Sequence, residues 1–294
     1  VLTEDVDQTL LNLADTARHA GLSSRQIRVW EERYGLTDFI SAKLKPHTYT
    51  LRHAERLRSL KLCIDAGYRI STLVGLDAKD LQSMTQDVVL RNALRPGVEL
   101  LRVGRFADFA LWLADRRRVQ ETEDFIFTTV SPLMNLVGAL WAEGRLSVAD
   151  EHFASMQIKK LLLDSLDLCE APCSSAPLII ATTPEGEAHE IGALCAAVLA
   201  RQAGWNVLYL GPNLSVMEIA HAAERHGARC VCLSSISLAY RAFEKILAGL
   251  HATVPAHADI VIGGPVSQPF VAPERIILLQ DMRDFPAYLS RRIA

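Results

Sequence analysis

Leu178-Ile179-Ile180-Ala181-Thr182-Thr183-Pro184-Glu185-Gly186-Glu187-Ala188-His189-Glu190-Ile191-Gly192 decides the fold of the C-terminal part of this chain. A short apolar run, rich in β-branched residues, ends near Ala181, and a helical apolar pattern opens near residue 190. The first is the length of a buried strand and the second that of a helix, with Pro184 and Gly186 marking the turn between them. The alternation repeats downstream. Residues 207–210, 230–234, 260–262 and 276–279 read as strands, and helical stretches near 190–203, 216–227 and 238–251 separate them. Strands and helices alternating at this spacing predict a parallel sheet covered by helices on both faces, with any ligand at the carboxyl ends of the strands.

Three elements fall at those ends. The first is Glu187-Ala188-His189-Glu190-Ile191-Gly192; 41 residues separate Gly192 from Ser234-Ser235-Ile236, and 26 residues separate Ile236 from Gly263-Gly264. Each stands at or just past a predicted strand, so all three converge on one edge of the sheet. A His-x-x-Gly alone is a surface histidine before a helix more often than a ligand. Three elements in this order and strand context carry more weight.

The pattern resembles the cobalamin-binding signature of the methionine synthase and methylmalonyl-CoA mutase type: Asp-x-His-x-x-Gly, then Ser-x-Leu, then Gly-Gly. Glu187 stands for the Asp and Ile236 for the Leu. The resemblance implies a Rossmann-like domain over residues 177–294, with His189 as lower ligand to the cobalt in place of the cofactor's own benzimidazole. Glu187 would accept the other ring N–H and fix the tautomer. Gly192 would leave room for the displaced nucleotide tail. Ser234, beside Ser235, would offer a hydroxyl to the benzimidazole, and Gly263 and Gly264 would let the tail lie against backbone. The cofactor would be adenosylcobalamin, methylcobalamin or hydroxocobalamin.

Upstream, the Pro/Ser-rich stretch 171–177 separates this block from a helical one over residues 77–170. The breakers there are Pro96-Gly97, Gly104, Pro132 and Gly144, which predict four or five helices in a bundle. Trp141 is followed after nine residues by Glu151-His152. This resembles the helical cap of the CarH/LitR-type MerR-family regulators, in which Trp-x9-Glu-His covers the upper face of the corrin. The resemblance makes Trp141 a lid, with Glu151 and His152 touching the cofactor. Read without it, Trp141 is a core residue of a bundle. In that family a His that directly follows the Trp captures cobalt after light breaks the cobalt–carbon bond; here that position is Ala142.

The first block, residues 1–76, is helical and punctuated by Gly21, Gly35 and Gly67. Residues 10–20 have helical spacing, Ser23 or Ser24 can cap a helix from Arg25 to Tyr34, and Thr50 a longer one through Ala66. Arg28-Val29-Trp30-Glu31-Glu32-Arg33-Tyr34-Gly35-Leu36 resembles the helix-turn-helix of the MerR family. That resemblance implies DNA contacts from Arg25, Arg28, Arg33 and Tyr34. The family's wing, aligned without a gap onto residues 39–49, keeps only Tyr49. Its arginines become Ser41 and His47, and its two glycines become Leu44 and Lys45. The partner is therefore DNA, bound in a weakened or altered way, or another transcription factor.

Bulk properties agree with this organisation. The chain has 294 residues, half of them hydrophobic, with a formal net charge of −3, so the whole is not a nucleic-acid glue. Residues 18–69 carry eleven Lys or Arg against five Asp or Glu, which suits either a polyanion partner or a solvated helix face. The six cysteines lack zinc-knuckle spacing and read as reduced thiols of a cytoplasmic protein. No cleavable leader is expected from the first residues, and no apolar run reaches membrane-spanning length. The expected fold is multidomain: winged helix-turn-helix, helical-bundle cap and Rossmann-like cobalamin-binding domain.

The bet on function is a cytoplasmic regulator of transcription that senses cobalamin, and light through it. A change at the upper face would alter homo-oligomerisation and the placement of the helix-turn-helix. The rivals are an antirepressor that grips another transcription factor, and the corrinoid protein of a methyltransferase system. No catalytic residue set and no membrane partner are expected.

Overall fold

A computed structural model describes residues 10–36, 48–169, 172–264 and 275–293. The chain divides into two compact units, residues 1–96 and 97–294.

In the first unit a strand, β1 (Leu10–Asn12), pairs antiparallel with β2 (Thr48–Thr50). Sequence spacing extended the first helix back to residue 10. The helix α1 (Leu13–Ala20) instead starts after Asn12, whose side chain accepts from the Asp15 N–H while the residues before it pair with β2. Helix α2 (Ser24–Tyr34) is capped by Ser23, in a reciprocal box with Gln26. It ends at Gly35 in the left-handed conformation. Thr50 caps α3 (Leu51–Asp65), and a short α4 (Ile70–Leu73) follows. Ile27, Leu57, Leu60, Cys63 and Leu73 form the core of this unit.

Helix α5 (Ala78–Arg102) runs through Pro96-Gly97, where a break was expected. The reason Gly97 is needed is packing. A Cβ there would lie 2.3 Å from the Trp112 ring, so the glycine admits that indole against the helix. The other helices of the second unit's helical half are α6 (Phe106–Val119), α7 (Thr122–Phe125), α8 (Ser131–Ala142) and α9 (Val148–Leu168). A π-helical turn, Ile126–Val130, joins α7 to α8 without a break. The resulting stretch Thr122–Ala142 spans 21 residues and, by length and composition, could cross a membrane, contrary to the sequence reading. Its Phe125, Ile126, Val130, Leu133 and Val137 are fully buried, as in a core helix of a bundle.

Among the described residues the sheet half has five parallel strands: β3 (Leu178–Thr182), β4 (Asn206–Tyr209), β5 (Cys230–Ser234), β6 (Asp259–Gly263) and β7 (Ile276–Leu279), in the order β4-β3-β5-β6-β7. Helices α10 (Ile191–Gln202), α11 (Val216–His226) and α12 (Tyr240–Thr253) connect them, and α13 (Phe285–Ile293) closes the chain. These strands and connecting helices match the predicted ones within two residues. The chain leaves β3 toward β4 at one edge and leaves β5 toward β6 on the other side. The crevice between the β3 and β5 loops is therefore the topological switch point of the sheet. Cys63, Cys195, Cys230 and Cys232 are buried and free. Burial pushes the Cys195 and Cys232 thiols up to about 12, so they behave as small apolar side chains.

Candidate functional site

Glu187 lies at the switch point and is fully buried, while the His189 side chain beside it is 59% exposed. One carboxylate oxygen, Oε1, accepts from the His189 backbone N–H at 3.0 Å, the His189 ring Nδ1 at 2.5 Å and the Ser237 hydroxyl at 3.0 Å. The other accepts from the backbone N–H groups of Ile236 at 2.7 Å and Ser237 at 2.6 Å. Burial alone would raise this carboxyl. The donors from Ser237, His189 and Ile236 outweigh it and hold the pKa at about 2. Glu187 is thus an anion near neutral pH, so Nδ1 of His189 carries the proton that bonds it. The lone pair of Nε2 then faces outward, available to a metal.

The loop that carries this pair is pinned from behind. The Thr183 hydroxyl donates to the Glu187 carbonyl and accepts from the Asn213 N–H at 2.9 Å. The Asn213 side chain accepts from the Gly186 N–H at 2.7 Å. Asn213 alone among the described non-glycine residues has a positive φ, 66°, a conformation asparagine tolerates. Ser237, Thr183 and Asn213 escaped the sequence reading. The only signal for them was their nearness to predicted strand ends.

The remaining sequence elements meet in the same region. A Cβ on Gly192 would come within 2.4 Å of the Ser234 hydroxyl, so the glycine makes room for Ser234 under the start of α10. Gly264, at φ 129°, is pressed against Ser235. A Cβ there would stand 1.9 Å from the Ser235 carbonyl oxygen, and the Ser235 N–H donates to the Gly263 carbonyl at 3.0 Å. A Cβ on Gly263 would meet nothing within 4 Å, so the surface there is open. An outward imidazole with its tautomer set, and an open glycine floor beside it, fit a cobalamin.

Trp141, in the last turn of α8, is 50% exposed, which removes the core reading of that residue. Ala142 ends the helix. Ser147 caps α9, whose first turn carries Glu151 and His152. Glu151 accepts from the His152 Nδ1 at 2.6 Å and from the Ser155 hydroxyl at 2.6 Å. Burial raises the Glu151 carboxyl. The bonds from Ser155 and His152, with the charges of His152 and His189, bring it below its ordinary value. Among the described residues no cluster of three or more His, Cys, Asp or Glu side chains is placed to hold a metal ion.

In the first unit Arg25, Arg28 and Arg33 are exposed on α2, whereas Tyr34 is half-buried and packs with Trp30 against the core. Residues 39–47 of the expected wing lie outside the described residues. Tyr49 is buried, and its hydroxyl donates to Glu31 at 2.7 Å. Burial and that carboxylate push its pKa up. Tyr49 therefore ties β2 to α2 through the interior.

Comparison with known proteins follows this geometry. Residues 11–78 match the model of the MerR HTH family regulatory protein, and 107–162 and 177–281 match two B12 binding domain models. The chain is 29% identical over 278 residues to the HTH-type transcriptional repressor CarH of Myxococcus xanthus, covering 88% of this chain and 89% of that protein. The chain is thus similar, over most of its length, to the CarH-type cobalamin-binding regulators of the MerR family. The HTH-type transcriptional repressor CarA of the same organism is 25% identical over 262 residues, 86% of each chain. The fold also matches the monomethylamine corrinoid protein of Methanosarcina barkeri. The TM-score is 0.51 at 14% identity, over 66% of this chain and 95% of that one.

Proposed function

We propose that the chain regulates transcription by binding a cobalamin with its nucleotide tail displaced, His189 serving as lower ligand. The observation that carries the reading is the buried Glu187 carboxylate. Three backbone N–H groups and the Ser237 hydroxyl hold it, and it presents His189 with Nε2 outward. When bound, the cobalamin supplies a metal with an exchangeable upper position and, in its alkyl forms, a light-sensitive cobalt–carbon bond. Every other part is the protein's own. Glu187 orients the imidazole, Gly263 leaves the floor clear, Gly264 lets the backbone pack on Ser235, and Trp141, Glu151 and His152 are the residues of the helical half that face the upper side. A change there shifts the balance between two states of the regulator, and with it oligomerisation and DNA occupancy. The exposed Arg25, Arg28 and Arg33 on α2 supply the DNA contacts, while Tyr34 supports the helix from the core side.

Reconstitution tests this reading. The purified chain should take up a corrinoid and show the absorption of an imidazole-ligated cobalt, and His189→Ala should lose that signature. A wild-type chain that stays colourless defeats the proposal. Green light should change the spectrum of the adenosyl form; an unchanged spectrum removes light as the signal and leaves binding in place. The wing substitutions favour a second reading, an antirepressor that holds another transcription factor. A gel shift on the chain's own promoter decides between them, with retention at low salt supporting DNA.

A further inference from the structure

Glu190 is the residue before α10, in the position whose side chain ordinarily caps the helix, yet it makes no side-chain cap. Its carboxylate turns away to two other elements. Oε1 pairs with the Lys159 ammonium at 2.6 Å, and Oε2 accepts from the Tyr209 hydroxyl at the end of β4. The Lys159 and Glu190 side chains are only 30% and 16% exposed, so little water screens the pair. Lys159 belongs to α9, the helix that carries Glu151. Glu151, Ser155 and Lys159 follow at i, i+4 and i+8 along one face, and Ser155 donates to Glu151. One helical stripe therefore runs from the residues assigned to the upper side of the cofactor down to the residue adjoining His189.

We propose that Lys159 is a positioning residue for cobalamin. Through Glu190, steadied by Tyr209, it latches the His189 loop to helix α9, so that the loop presents its imidazole only while α9 is docked. The inference rests on the proposed lower-ligand role of His189. The latch makes the lower ligand and the helical half one mechanical element. A displacement of α9 by events at Glu151 loosens His189, and loss of the His189 bond frees α9.

The test uses the full chain and hydroxocobalamin, read by absorption titration. Lys159→Met keeps the stem and removes the charge, leaving the Glu190 carboxylate partly buried with only Tyr209. Affinity should fall about tenfold, the scale for loss of a supporting partner of a ligand. Part of the bound cofactor should lack the imidazole signature. The reversed pair, Lys159→Glu with Glu190→Lys, should return the signature and most of the affinity, which a general loss of packing would not do. Tyr209→Phe, a milder change that keeps the ring, should weaken binding about two- to threefold. Wild-type affinity and spectrum in both Lys159→Met and Tyr209→Phe overturn the latch while the His189 reading stands. A wild-type chain that takes up no corrinoid overturns both.

Discussion

The loop after β3 and the first turn of α9 each hold a Glu–His pair, and the two pairs differ in burial more than in chemistry. In both, a carboxylate oxygen meets the histidine Nδ1, at 2.5 Å for Glu187–His189 and 2.6 Å for Glu151–His152. In both, a serine hydroxyl adds a donor, from Ser237 and from Ser155. Glu187 is fully buried and also takes three backbone N–H groups, whereas the Glu151 side chain is 24% exposed and takes none. A carboxylate fixed by backbone cannot turn without unmaking the loop. One fixed by side chains, with water at hand, can change partner cheaply. The lower pair thus has the character of a permanent mount and the upper pair that of an adjustable contact.

The largest effect should separate the two histidines. His189→Ala should abolish the imidazole-ligated spectrum and cost more cobalamin affinity than the roughly 10- to 100-fold typical of losing an outer partner. His152→Ala should leave that spectrum in place. Equal losses would erase the distinction. Next come the carboxylates: Glu187→Gln should weaken cobalamin binding about 10- to 100-fold, and Glu151→Gln less than about tenfold, by the same titration.

Acid unfolding of the cofactor-free protein sharpens the comparison further. Glu187 sits at about 2 when folded against an ordinary 4.5. Its stabilisation is therefore full above about pH 4.5 and is lost as pH falls toward 2, on the order of 3 kcal/mol in all. Denaturant melts across that window should flatten in Glu187→Gln and remain steep in Glu151→Gln. The smallest effect belongs to the serines. Ser237→Ala should destabilise by about 1 kcal/mol, and Ser155→Ala by a few tenths, because water replaces only the second donor. Thermal melts of the cofactor-free chain read both, and a larger loss from Ser155→Ala would reverse the assignment of which pair is anchored.

Much of this fold is written locally. Residues 230–233 show an unbroken apolar run, and 216–227 a helical apolar stripe closed by Gly227, so strand and helix follow from periodicity and stop signals. Where local signals misled, a distant partner had intervened. Pro96-Gly97 reads as a break until Trp112 is seen against Gly97. Leu10–Asn12 reads as helix until β2 pairs with it. Tyr49 reads as the last trace of a wing until its hydroxyl is found on Glu31.

By itself the sequence determined the order of elements, the caps of α2 and α3, and the gathering of His189, Ser234 and Gly263 at one sheet edge. Those are properties of neighbouring residues and of strand direction. Only the tertiary structure decided what surrounds them. The strand order sets the β5 loop beside the β3 loop, so that Ile236 and Ser237 reach Glu187 from about fifty residues away. The docking of α9 brings Lys159 to Glu190, and the exposure of Glu151 makes it unlike Glu187. Burial and the donors that compensate it depend on which distant segments become neighbours, and periodicity along one chain carries no record of that choice.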